Sequence, residues 1–199
     1  MTRARLMTAL IAPAMMLSAC GVNSIPTAEE EAKARWADVQ NQYQRRADLI
    51  PNLVASVQGA AAQERNVLRE VTEARAGATR IQLSPEQLRD PEAMRAFSEA
   101  QGRLSSAIIP LQRLQEAYPD LKTNQNFLTL QSQLEGTENR IAIARTDYNQ
   151  AVQAYNTRIR TFPDLIGAKV FYGSEPMVPF EATTAGAETA PTVDFGNSQ

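Results

Sequence analysis

The chain has 199 residues, 43% of them hydrophobic, which suits one globular domain with a sizeable core. Its formal charge of −2 at pH 7 denies it the basic face that phosphate-driven nucleic-acid binding, or adhesion to anionic lipid by charge alone, would need. With one cysteine and no histidine, an internal disulfide, a thiolate metal cage and every imidazole-based triad are excluded, leaving only carboxylate or lysine mechanisms open.

Residues 1–19 read as an export signal. Arg3 and Arg5 precede an apolar run over residues 6–19 that contains Pro13 and closes as Leu17-Ser18-Ala19-Cys20. Fourteen residues are too few for a spanning helix, which needs about twenty. The ending resembles the lipobox of bacterial lipoproteins, which implies cleavage between Ala19 and Cys20 and a diacylglycerol on the Cys20 thiol. Several acyl chains, at about 0.8 kcal/mol per buried methylene, hold a protein to a leaflet where one chain would not. Lipoproteins retained at the inner membrane often carry Asp after the cysteine. Gly21 stands there instead, so the resemblance favours the periplasmic side of an outer membrane, with the outer face of the cytoplasmic membrane as the alternative. Loss of Arg3 and Arg5 leaves 18 basic residues against 22 acidic ones, a net of −4.

Residues 20–27 read as a lipidated tether and residues 28–172 as a helical domain. Thr27 is the expected N-cap, with Glu29, Glu30 and Glu31 in the first turn, where the helix dipole favours anions. Two heptad tracks follow: Trp36, Tyr43, Ile50 and Val57 form one; Val39, Leu53, Ala60, Val67 and Ala74 form the other. Pro51 lacks an amide hydrogen and predicts a kink or break near residues 46–50. Gly77 and Leu83-Ser84-Pro85-Glu86 predict a stop and a restart, with Ser84 as N-cap and Pro85 at the first helical position. This second helix is expected to run to about Ala117 with a bend at Pro110, and Tyr118-Pro119-Asp120 to turn the chain. The last helix carries Phe127, Leu134, Ile141, Tyr148, Tyr155 and Phe162 at intervals of seven, until Pro163 ends it. Such stretches joined by short turns must lie antiparallel to hide their stripes. The fold class is therefore all-α: an antiparallel up-and-down bundle of three long helices, or four if the first breaks at Pro51, with an extended C-terminal tail. That tail, residues 173–199, holds four acidic residues and no basic one and reads as flexible, either a solvated spacer or a partner-binding segment.

Three segments together resemble the LemA family of bacterial envelope proteins. They are Arg45-Arg46-Ala47-Asp48-Leu49-Ile50-Pro51-Asn52-Leu53-Val54, Tyr118-Pro119-Asp120-Leu121-Lys122-Thr123-Asn124-Gln125-Asn126-Phe127, and Glu138-Asn139-Arg140-Ile141-Ala142-Ile143-Ala144-Arg145 leading to Tyr148-Asn149 and Tyr155-Asn156. Arg160-Thr161-Phe162-Pro163 and Phe171-Tyr172 fit the family's helix ending. The likeness spans residues 36–180. It implies a helical bundle outside a bacterial cytoplasmic membrane, linked to envelope organisation, with no established reaction or cofactor. Members usually begin with a membrane-spanning helix, and a lipobox in its place is a departure that reopens which membrane holds the protein.

Arg46 falls on the apolar track midway between Val39 and Leu53, where a guanidinium is costly unless paired. Asp48, Asn52, Glu138, Arg145, Asn149 and Asn156 are its candidate partners. The cluster reads either as a buried network that fixes helix register or as a ligand site in the bundle core. Without histidine, a carboxylate di-iron site of the bundle type is not expected, nor any other metal or cofactor. Two functions follow. One is a membrane-anchored, non-enzymatic scaffold or interaction module that docks another envelope protein. The alternative is a small-ligand receptor or enzyme using the polar cluster.

Overall fold

The structure, a computed structural model, describes residues 23–59 and 61–181. The first helix, α1 (Ser24–Gln58), is 35 residues long, about 52 Å at the usual rise. It begins three residues ahead of the expected cap. The Thr27 hydroxyl and amide both donate to the Asn23 carbonyl, so Thr27 lies inside the first turn. Tertiary contact explains the extra turn: Ile25 is buried, and the Ser24 hydroxyl donates to Asp164 Oδ2 at 2.8 Å. Residues 24–27, assigned to the tether on sequence, are thus helical. Glu29, Glu30 and Glu31, one turn further in than expected, pair with Lys33, Arg35 and Arg89 instead of the helix dipole.

Pro51 does not break α1. The proline leaves the Ala47 carbonyl without its usual amide partner, and Arg75 Nε from the next helix donates to that oxygen at 2.7 Å. The helix ends instead at Gln58, and after a loop that includes residues 61–64 α2 (Arg65–Arg80) follows. Because this loop interrupts the heptad count, the buried face of α2 is Leu68, Val71 and Ala78, while Val67 and Ala74 are only half-buried. Ala60 of the same track lies outside the described residues. Ser84-Pro85 also starts no long helix. A 3₁₀ turn, Glu86–Arg89, comes first, and α3 (Pro91–Ala117) begins at a second cap-and-proline pair, with Asp90 Oδ1 accepting from the Glu92 amide at 2.9 Å. The helix continues through Pro110 to Ala117. The short α4 (Pro119–Thr123) makes the turn, and Asn124 caps α5 (Gln125–Arg158), its Oδ1 accepting from the amides of Asn126 and Phe127. A short helix α6 (Asp164–Gly167) and a π turn, Ala168–Tyr172, close the helical part.

The architecture is all-α, with no strand among the described residues. Helix directions follow from the pairings. Trp36 packs on Tyr148 and Arg46 meets Glu138, so α1 and α5 are antiparallel. Trp36 packs on Phe97 and Arg46 meets Ser105, so α1 and α3 are parallel. Gln101 of α3 meets Ala78 of α2 across a short connection, which sets α2 antiparallel to both neighbours. This is an up-and-down bundle of four long helices.

Its core has two apolar compartments. One is rich in aromatics, with Trp36, Tyr43, Phe97, Tyr148, Tyr155 and Phe180; the other is mainly aliphatic, built on Ile50, Leu53, Leu104, Leu111 and Leu134 around Phe127. All members of the α5 stripe are buried except the last. Phe162 is 80% exposed, because α5 ends at Arg158 and the chain turns before the seventh residue is reached. Among the described residues, no helix is long and apolar enough to cross a membrane.

Candidate functional site

Between the two compartments lies a layer of polar side chains: Arg46, Gln101 and Thr137 are the buried polar residues of the described chain. Arg46 occupies an apolar position of α1, so its guanidinium points into the bundle with 1% of the residue exposed. Nη1 donates to Ser105 Oγ at 2.7 Å and to Glu138 Oε1 at 2.9 Å. Nη2 donates to the Gln101 carbonyl at 3.1 Å and to Gln101 Oε1 at 2.7 Å. Gln101 Nε2 in turn donates to the Ala78 carbonyl at 3.1 Å. The network therefore extends to α2 through Gln101, while the guanidinium itself joins α1 directly to α3 and α5. Its planar fork offers several donors at fixed angles, which an ammonium would not.

The layer is not sealed on one side. A cleft of about 370 Å³ opens beside Tyr43, Arg46, Gln101, Ser105, Glu138 and Arg145. Arg46 Nε has no hydrogen-bond partner, and the Glu138 side chain is 44% exposed at the rim. The Arg46 carbon stands 5.1 Å from the centre of the Tyr43 ring. Burial pushes the Tyr43 phenol above its ordinary range, against the opposing charges of Arg145 and Arg46.

Of the residues expected to gather at Arg46, only Glu138 bonds to it, while Arg145 lines the cleft. Asp48 lies two residues on along the same helix, which turns it to the outer face, where it accepts from Gln44 Nε2. Asn52 is likewise exposed, on the far side of α1. Gln101 and Ser105 take their places from α3, a helix that sequence spacing alone does not bring alongside α1. Ala19 and Cys20 lie outside the described residues.

Asn149, Asn156 and Arg145 serve the C-terminal segment instead. Residues 174–181, read as flexible on sequence, form a strap against α5. Asn156 Nδ2 donates to the Met177 carbonyl at 2.8 Å, and the Met177 amide donates back to Oδ1 at 2.9 Å. Asn149 repeats the exchange with Phe180 at 3.0 and 2.8 Å. The Tyr148 and Tyr155 hydroxyls donate to the carbonyls of Val178 and Glu175, and the Val178 amide donates to the Leu88 carbonyl. Every amide hydrogen of residues 176–180 is thus bonded, and Pro176 and Pro179 sit where none is required. Spacing accounts for the fit. Seven helical residues rise about 10.5 Å, and three residues of extended chain cover nearly the same length. Met177 and Phe180 consequently enter the core together. Phe180 stacks on Trp36 at 5.7 Å, and the Arg145 guanidinium lies 4.8 Å from the Phe180 ring centre. Remaining packed on the bundle requires apolar anchors as well as hydrogen bonds, and these two side chains supply them. The remainder of the tail, residues 182–199, lies outside the described residues.

Two magnetosome proteins are similar to this chain in sequence. Magnetosome protein MamQ 2 of Paramagnetospirillum magneticum is 27% identical over 157 residues, and magnetosome protein MamQ of Magnetospirillum gryphiswaldense is 28% identical over 158. Each alignment covers 71% of this chain and 58% of the relative, so the chain spans less than two thirds of the relatives' length. The sequence pattern of the LemA family matches residues 35–195, a stretch that takes in α1 from Arg35 onward, the other three long helices, the polar layer and the strap. The chain belongs to the LemA family.

Proposed function

We propose that this LemA-family protein is a lipid-anchored, non-enzymatic scaffold of the bacterial envelope, held to a membrane through Cys20 and facing the periplasm. The carrying observation is how the charged centre of the bundle is spent. Nη1 of Arg46 is bonded to α3 and α5 and Nη2 to α3, so the one buried cation among the described residues is committed to helix alignment rather than held in reserve for a ligand. A register-fixing polar layer suits a rigid body that presents its outer faces to another envelope protein. Similarity to magnetosome proteins fits a membrane-associated role of this kind. Gly21 favours the outer membrane over the cytoplasmic one.

Crosslinking in intact cells, followed by mass spectrometry, tests the proposal when the wild-type protein is compared with Cys20→Ala. A reproducible envelope partner that is lost with the anchor supports it. The same partner profile from both forms, or none from either, counts against it.

The cleft beside Arg46 favours a second reading, a small-ligand site lined by Ser105, Glu138 and Arg145. The Arg145 guanidinium on its wall points to an anionic or carbonyl-bearing ligand. Screening carboxylate metabolites for thermal stabilisation of the wild type, with Arg145→Gln as control, separates this reading from the first.

A further inference from the structure

Among the described residues, five of the eight exposed large apolar side chains lie within eleven consecutive positions: Phe162, Ile166, Val170, Phe171 and Tyr172. The other three, Ile109, Leu128 and Ile143, are scattered singly, as on any protein surface. The cluster is far from marginal: Phe162, Val170 and Phe171 are 80%, 69% and 70% exposed. So much exposed apolar surface concentrated in one short segment of a small domain marks a surface meant to be covered.

What covers it follows from where the chain enters the bundle. Residues 162–172 are fastened to the start of α1. Ser24 donates to Asp164, and Ile25 packs against Gly167, whose Cβ position would lie 3.5 Å from the Ile25 side chain. Asn23 therefore sits at this patch, and Cys20 is three residues before it. Three residues reach at most about 11 Å even when fully extended. A lipid on Cys20 brings this end of the bundle, and no other, to a bilayer surface. The opposite end, at α4 and the loop after α1, lies roughly 50 Å away along the helices.

Charge agrees with the placement. Arg158 and Arg160 just before the segment and Lys169 within it are exposed, and none of the three makes an ion pair among the described residues, while Asp164, the segment's one acidic residue, is half-buried and accepts from Ser24. On a protein of net negative charge, a rim of cations around exposed aromatics is local. It matches the headgroup region, where aromatic rings settle and long basic side chains reach phosphate. We infer that residues 162–172 form an interfacial membrane-docking face, whose aromatic and aliphatic side chains enter the headgroup layer and stand the bundle upright on the leaflet that holds its lipid. The inference rests on the reading of Cys20 as lipidated.

The test uses the full-length lipidated protein in vesicles of phosphatidylethanolamine and phosphatidylglycerol, some lipids carrying a nitroxide near the headgroup. A fluorophore is placed on Phe171→Cys or, as the remote control, on Lys122→Cys. Strong quenching at position 171 with little at 122 is the expected result. Equal quenching at the two positions, in vesicles that float with the protein, overturns the docking face while leaving the anchor intact. Failure of the protein to float with the vesicles overturns the anchor and the docking face with it. A second variant carries a fluorophore on Ile166→Cys together with Phe162→Ser, Val170→Ser and Phe171→Ser. These side chains are exposed, so the fold is not at stake. Quenching at 166 should fall toward the level of position 122, and unchanged quenching would refute the role of the apolar side chains.

Discussion

Arg75 Nε donates to the carbonyl of Ala47 at 2.7 Å, the acceptor that Pro51 leaves open four residues downstream. A proline in a helix interior ordinarily costs about 3 kcal/mol, part of it through the orphaned carbonyl. Here a side chain from α2 answers that loss, and in doing so ties α2 to α1. The pair makes a coupling prediction. Arg75→Met should destabilise the protein by about 1–2 kcal/mol, since it leaves a partly buried carbonyl without a donor. In the Pro51→Ala background the new backbone amide closes on Ala47, and the same Arg75→Met substitution should cost markedly less. A denaturant-based double-mutant cycle measures the difference. Equal costs in the two backgrounds would show that the two residues are not coupled.

The polar layer predicts an asymmetry between its two charges. Glu138→Leu strips the buried Arg46 of its counter-ion and should cost about 3 kcal/mol. Arg46→Met leaves a carboxylate that water still reaches, and should cost about 1–2 kcal/mol, chiefly through the stranded Gln101 Oε1. The double variant Arg46→Met/Glu138→Leu should be more stable than Glu138→Leu alone. Urea midpoints at constant m-value decide this, and a double variant less stable than both singles would contradict the assignment of Arg46 as the group that suffers.

The strap predicts a local effect. Asn149→Ala and Asn156→Ala each remove a reciprocal pair of hydrogen bonds, and the amides of Phe180 and Met177 should then exchange with solvent much faster than those in the middle of α1. Because Phe180 stacks on Trp36, release should also shift the emission of the protein's single tryptophan to longer wavelength. Slow exchange at both amides in the double variant would mean that the asparagines do not hold the strap.

Alkaline pH should loosen the aromatic compartment. Burial raises the phenols of Tyr43 and Tyr148 above the unfolded value of about 10. Above that value the unfolded chain gives up protons that the folded chain retains. Stability is therefore at its plateau below about pH 10 and falls as pH rises beyond it. Tyr148→Phe loses the bond to the Val178 carbonyl, about 1 kcal/mol at neutral pH, but should show a shallower decline above pH 10. Urea unfolding followed across that range checks the slope, and an identical slope in wild type and variant would argue against Tyr148 as a contributor.

Much of the helical layout was legible beforehand for a simple reason: helix faces are written at intervals of seven. Trp36, Tyr43, Ile50 and Val57 are buried as their spacing predicts, and so are Phe127 to Tyr155 along α5. The readings that needed correction share a cause. Pro51 read as a kink or break because its remedy, Arg75, comes from a helix whose position spacing does not reveal. Val67 and Ala74 read as core because a heptad count continues blindly through a loop. Ser84-Pro85 and Asp90-Pro91 are equally good starts by local chemistry, and packing of Leu83 and Leu88 beneath the chain selected the second. The strap did leave a trace: Tyr-Asn repeats at 148 and 155, facing a Pro-Met-Val-Pro-Phe run whose anchors are three apart. The two patterns have matching physical lengths, but only when one is helical and the other extended.

By itself, then, the sequence determined the class of fold, the helices that carry apolar stripes, the absence of imidazole chemistry, the buried arginine and the need to pair it. Those are local or periodic properties, set by propensity, composition and the cost of an unpaired charge. The tertiary structure decided which partners answered that need, that an acidic-looking tail begins as a docked strap, and that Phe162 lies outside with its neighbours, beside the start of α1. Such outcomes depend on which surfaces meet, and a contact between residues a hundred positions apart has no energy until the fold brings them together.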